Sequence, residues 1–104
     1  MGTNKFRLTL LPSAQEDIEE ICKYIAINLS NPSAAIKFSE ELHNKFKNLC
    51  EFPESCPLVN NEFIKDKTLR KLLIDNYIAF YRLKENKLQI VRVLHKTRNY
   101  QIIL

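Results

Sequence analysis

The sequence predicts a small α+β domain: a twisted, mostly antiparallel four-stranded sheet with a helical hairpin packed on one face, in the order β-α-α-β-β-β. Three observations predict it. Residues 5–11 alternate polar and apolar side chains with period two, as a half-buried strand does. Two stretches with helical spacing follow, separated only by Ser30-Asn-Pro-Ser. Three short apolar runs, residues 69–74, 77–83 and 88–94, then stand between turn-like breaks. With 104 residues and 45% hydrophobic content, residues 1–104 are expected to form one domain with one modest core.

Phe6, Leu8 and Leu10 are the inward residues of the first strand, with Lys5, Arg7 and Thr9 outward. Pro12 ends it, having no amide to donate to a ladder. Ser13-Ala-Gln-Glu16 has the form of a capping box, and Asp17, Glu19 and Glu20 suit the positive end of a helix dipole. These carboxylates read as solvated. Ile18, Ile21, Cys22, Ile25 and Leu29 form an apolar stripe, which predicts a helix to about Leu29.

Asn31 is the expected N-cap of the second helix and Pro32 its first residue. Its stripe is Ala35, Phe38, Leu42, Phe46 and Leu49, and it should stop before Pro53. So short a connection implies an antiparallel hairpin, whose stripes need the sheet as partner. Residues 51–67 read as a loop. Asp75-Asn76 and Lys84-Glu-Asn-Lys87 read as tight turns, with both Asp75 and Asn76 tolerating positive φ. The sheet face away from the helices is expected to be partly exposed and to hold any basic site.

The formal charge of +4 is unevenly placed. Through Ile64 there are six Lys+Arg against nine Asp+Glu, a net of −3; from Lys65 onward there are ten against three, a net of +7. A basic last third interleaved with aromatics points to an anionic partner, either nucleic acid or an acidic protein. No apolar run approaches a membrane span and residues 1–5 lack a signal-peptide core, so a cytoplasmic protein is expected. Cys22, Cys50 and Cys56 have no C-x-x-C spacing, and His43 and His95 are far apart. Reduced thiols, no metal and no cofactor are therefore expected. Gly-rich phosphate loops and nucleophile elbows are absent from the sequence.

Candidate chemistry gathers in His95-Lys-Thr-Arg-Asn-Tyr100, directly after the last strand. Imidazole as a side-chain type can take or give a proton near neutral pH, which makes His95 the candidate general base or acid. Arg98 and Lys96 are candidate phosphate contacts, and Tyr100 offers a stacking face or a phenolic proton. Arg70 and Lys71 lie on the second strand, but neighbours on a strand face opposite ways, so at most one joins the tail. Lys65 and Lys67, just before that strand, are further candidate phosphate contacts. Such a set contains the groups for metal-free RNA cleavage: a base for the 2′-hydroxyl, an acid for the leaving oxygen, and cations for the developing charge.

Several segments in this order resemble the RelE/ParE superfamily of toxins from bacterial type II toxin–antitoxin modules. They are Pro12-Ser-Ala-Gln-Glu-Asp-Ile-Glu-Glu-Ile with Tyr24-Ile25, residues 49–53, Arg70-Lys-Leu-Leu-Ile-Asp-Asn-Tyr-Ile-Ala-Phe-Tyr-Arg, and Ile90-Val-Arg-Val-Leu-His-Lys-Thr-Arg-Asn-Tyr. The resemblance covers nearly the whole chain. It implies a growth-arresting toxin held in a hetero-oligomer by a cognate antitoxin that wraps it. It also implies one of two targets: mRNA on the ribosome, which one branch cuts, or DNA gyrase, which the other poisons. For the nuclease branch, Lys71, His95 and Arg98 fall at or beside functional positions, with Arg98 and Lys71 as phosphate clamps, Tyr100 as stacking or acid partner and Arg70 auxiliary. That branch usually carries an arginine where this chain has Ile78. For the gyrase branch, the long helices and Arg92-Val-Leu-His-x-x-Arg are similar. The expectation from sequence is a ribosome-associated mRNA endonuclease, with a gyrase poison or a degenerate antitoxin-binding subunit as alternatives.

Overall fold

The computed structural model describes residues 6–104; Lys5 of the expected first strand lies outside them. In chain order the elements are β1 (Arg7–Leu10), α1 (Pro12–Lys23), a π-helical turn (Tyr24–Asn28), α2 (Pro32–Glu51), β2 (Arg70–Ile74), β3 (Tyr77–Lys84), β4 (Lys87–His95) and α3 (Tyr100–Ile103). The strands form one sheet in the order β1-β4-β3-β2. β2, β3 and β4 are an antiparallel meander, whereas β1 joins β4 in parallel, with Arg7 opposite Lys87 and Leu10 opposite Ile90. The hairpin of helices is the crossover that a parallel pairing requires.

α1 begins differently from the expected capping box. Pro12 both ends the strand and occupies the first helical position, so Ser13 sits inside the helix and makes no capping bond. The Ala14 and Gln15 amides turn back to the Leu11 carbonyl at 2.9 and 3.0 Å. Asn31 does cap α2, its Oδ1 accepting from the Ala34 amide at 3.2 Å. Between the helices, the Leu29 amide reaches the Tyr24 carbonyl five residues back, and Ser30 takes φ 50° to reverse the chain. In the hairpins Asp75 (φ 53°) and Glu85 (φ 59°) take the left-handed conformation; Asn76, which would also tolerate it, does not.

The stripes of α1 and α2 close on one sheet face, where Ile21, Phe38, Leu42 and Leu49 meet Ile74, Tyr81, Leu88 and Ile90. The opposite face is more covered than expected. A second cluster covers much of it: Val59, Ile64 and Leu69 from the connection, and Tyr100, Ile103 and Leu104 beyond β4, close over Ile78, Phe80 and Leu94. The physical reason is that Ile78 and Phe80 alternate with Tyr77, Ala79 and Tyr81, so β3 is apolar on both faces and both require cover. The connection also guards the sheet edge, with the Lys71 amide donating to the Pro57 carbonyl and the Val59 amide to that of Leu69. No helix among the described residues is long and apolar enough to cross a membrane.

Candidate functional site

β1 stops at Leu10, and the Leu11 amide makes the last backbone bond to that edge of β4, at the Ile90 carbonyl. Beyond it, α1 crosses over the open edge and supplies a side chain in place of a strand. Asp17 accepts from the Val93 amide at 3.0 Å and from Arg92 Nε and Nη2 at 2.7 and 2.9 Å. Such a fork-to-fork pair is stronger than a single neutral bond. Asp17 is therefore buried and bound, contrary to its reading as a solvated helix charge. Its carboxylate, through the hydrogen bond and then the charge, holds the Arg92 guanidinium above its ordinary pKa.

Next to this clamp lies a cleft of about 630 Å³ whose lining includes Asp17, Glu20, Tyr24, Leu29, His95 and Arg98. His95 is the last residue of β4, opposite Tyr77 on β3. The Tyr77 ring meets the imidazole edge-on at 5.2 Å and leans on Phe38 at 5.2 Å. The Thr97 amide donates to Nδ1 at 3.2 Å and the Thr97 hydroxyl lies 2.8 Å from the same atom. With Nδ1 accepting, the neutral ring carries its proton on Nε2. Burial, with smaller contributions from Tyr24 and Cys22, raises the Tyr77 phenol above its ordinary pKa.

The other sequence candidates are dispersed. Arg98 joins His95 in the cleft, its amide closing the turn onto the His95 carbonyl at 2.9 Å. Lys96 is exposed in that turn. Tyr100 belongs to the second cluster, its ring 5.0 Å from Phe80. Lys71 is opposite Phe80 in register, hence on the face away from His95. Arg70 donates to the Cys56 carbonyl at 2.7 Å. Lys65 is exposed in the connection, and Lys67 is held by the Asn61 and Glu62 carbonyls. Ile78, where the nuclease branch was expected to carry arginine, is buried in the second cluster. Among the described residues, no group of three or more His, Cys, Asp or Glu is placed to hold a metal ion.

The carboxylates and tyrosines of the cleft had no part in the sequence-derived site. A signal for Asp17 existed: it is spaced with Ala14 and Ile21 on the buried side of α1. Arg92 likewise interrupts the apolar run of β4. A carboxylate in one apolar stripe and a guanidinium in another suggest each other as partners.

A family model described as the ParE toxin of the type II toxin–antitoxin system, parDE, matches residues 8–100. The chain belongs to this family. It is the toxin of a type II toxin–antitoxin system. Among curated proteins none matches. Among solved structures, a chromosomal ParDE system from P. aeruginosa is 20% identical, covering 89% of this chain and 98% of that one with a TM-score of 0.73. A RelBE toxin–antitoxin complex from Mycobacterium tuberculosis is 16% identical, with coverages of 88% and 98% and a TM-score of 0.55. A conserved hypothetical protein from Helicobacter pylori is 17% identical, with coverages of 89% and 97% and a TM-score of 0.56. At these identities the likeness is one of fold, and it extends over the sheet and hairpin described above.

Proposed function

We propose that this toxin arrests growth by binding a protein target, DNA gyrase, and that RNA cleavage is not its activity. The observation that carries the reading is the composition of the cleft. It joins Tyr24 and Leu29 of the helical elbow to His95 and Arg98 of the basic tail, making one continuous surface. Tyr24, Ile27, Leu29 and Ile36 are each about half exposed or more, an apolar concentration suited to a protein partner. The groups that RNA cleavage needs are divided instead: His95 and Arg98 lie beside two carboxylates, while Lys71 and Tyr100 belong to the opposite face. A phosphate approaching His95 meets Glu20 as well as Arg98, which weakens electrostatic stabilisation of a phosphorane.

The neighbours from P. aeruginosa and M. tuberculosis are toxin–antitoxin systems, and a cognate antitoxin is the natural partner here too. A groove of about 880 Å³ between α2 and β2 suits it, with Phe38, Leu49, Leu72 and Tyr77 among its lining and Lys37, Glu40 and Lys45 also bordering it. The place of action on this reading is the cytoplasm.

The test is a cell-free comparison of supercoiling and translation with the full chain freed of antitoxin. Supercoiling is expected to fail while translation continues, and Tyr24→Ser with Leu29→Ser is expected to relieve the failure. Rapid loss of translation that depends on His95 would overturn the reading and restore the mRNA endonuclease. If neither process responds, the degenerate antitoxin-binding subunit is the better account.

A further inference from the structure

The far end of the sheet, away from His95, carries an arrangement the fold itself does not need. In register, Arg7 of β1 lies opposite Lys87 of β4, and Lys87 lies opposite Lys84 of β3. Cross-strand partners share a face, so three cations stand side by side across three consecutive strands. Like charges placed directly opposite one another destabilise a sheet. All three residues are exposed, and among the described residues none forms an ion pair; the pairs present are Arg82–Asp66 and Arg92–Asp17. Glu85, in the turn between Lys84 and Lys87, is the acidic residue nearest in sequence.

We infer that this row is a contact surface for the phosphodiester backbone of duplex DNA, separate from the elbow and independent of the target proposed for it. Strands lie about 4.8 Å apart, so the row spans roughly 10 Å. Over that length a DNA duplex presents about six charges, one per ~1.7 Å of axis. The chemistry next to the row argues against other anionic partners. The next row on the same face is Thr9, Gln89 and Arg82, with Arg82 Nε donating to Gln89 Oε1 at 2.8 Å. These six positions include no ring on which an unpaired base would stack, and no apolar side chain for a membrane or a protein hot spot. Phosphate contacts of this kind fix position on a duplex without reading its sequence.

The test is fluorescence anisotropy of the full chain with a labelled random-sequence duplex across a salt series. The row variant is Arg7→Gln with Lys84→Gln and Lys87→Gln. A control removes as many charges from α2, as Lys37→Gln with Lys45→Gln and Lys47→Gln. The slope of log affinity against log salt is expected to fall by about 2 to 3 in the row variant, at roughly 0.9 per lost phosphate contact, and by much less in the control. Thermal melting of the row variant is expected to rise, because the repulsion is gone, and that result excludes misfolding as the cause of lost binding. Equal effects from both variants, or no duplex binding by the parent, would overturn the inference. So would binding through these residues to an acidic peptide or an anionic vesicle but not to duplex DNA.

Discussion

Replacing Asp17 by alanine tests how much of the fold depends on closing the open edge of β4. The substitution removes the acceptor of three bonds, at 2.7, 2.9 and 3.0 Å, and leaves the Arg92 guanidinium and the Val93 amide unmatched. Stranding one half of a buried ion pair costs about 3–5 kcal/mol. Here the Arg92 side chain is 26% exposed, against 11% for Asp17, so water recovers part of the loss. A cost of about 2–3 kcal/mol remains, or a fall in Tm of roughly 10–20 °C for a domain of this size. Asp17→Asn keeps an oxygen for the Val93 amide and should cost about half as much. Arg92→Met combined with Asp17→Ala should be less damaging than the two single costs added, with a coupling of about 1–2 kcal/mol. Chemical denaturation of the parent, the three single variants and the double variant measures all of this. A cost under about 0.5 kcal/mol for Asp17→Ala, or strict additivity with Arg92→Met, would refute the assignment of the edge to this clamp.

Other expectations concern single positions. Asn31→Ala should lower stability by about 1 kcal/mol through loss of the α2 cap, whereas Ser13→Ala should be nearly silent; thermal melts followed by circular dichroism distinguish them. Glu85→Gly should raise stability by about 0.5–1 kcal/mol, since a β-carbon at φ 59° is unfavourable, and the same melts detect it. Tyr100→Phe should leave both stability and toxicity unchanged in a growth assay, because Phe keeps the ring that packs on Phe80. At Asp66, burial alone would raise the carboxyl pKa, but hydrogen bonds from Thr68 and the Arg82 guanidinium outweigh it and hold the folded-state value below the usual range. Its stabilisation is therefore fully present above the unfolded value near 3.9 and is lost as pH falls through the lower folded value. The pair is partly exposed, so Asp66→Asn should cost under about 1 kcal/mol at pH 7 and progressively less as the pH is lowered into the acid range, as melts across that range would show.

The periodic parts of the chain were legible. The helical stripes of α1 and α2 follow from which side chains must leave water, and the Asn31 cap follows from local chemistry, whereas in β1 only Phe6 and Leu10 of the expected inward residues pack on the core and Leu8 is 37% exposed. What escaped depends on contacts distant in sequence. Asp17 and Arg92 are 75 positions apart, so neither stripe reveals alone that the charge within it is satisfied. The cover over Ile78 and Phe80 comes from Val59, Ile64 and Tyr100, whose segments have no period of their own. The tail looked like a single reactive cluster because its residues are close in sequence. The turn after His95 sends Tyr100 to one face of the sheet and leaves His95 on the other. The mixed sheet hinges on one pairing that no local pattern announces, β1 beside β4.

That pairing gives the toxin a timetable. Chains emerge from the ribosome at about 5–20 residues per second, and local hairpins form within microseconds of becoming available. The helical hairpin can therefore collapse early, but Arg7 has no neighbour until Lys87 has been made. The clamp on Val93 comes later still. Until β4 has been made, the nascent chain has neither the finished sheet nor the cleft at the end of that strand. The sheet and the cleft can close only once β4 has left the ribosome. Stalled chains ending before Lys87 should be open to protease and inert toward the target, whereas chains stalled beyond Tyr100 and clear of the exit tunnel should be neither.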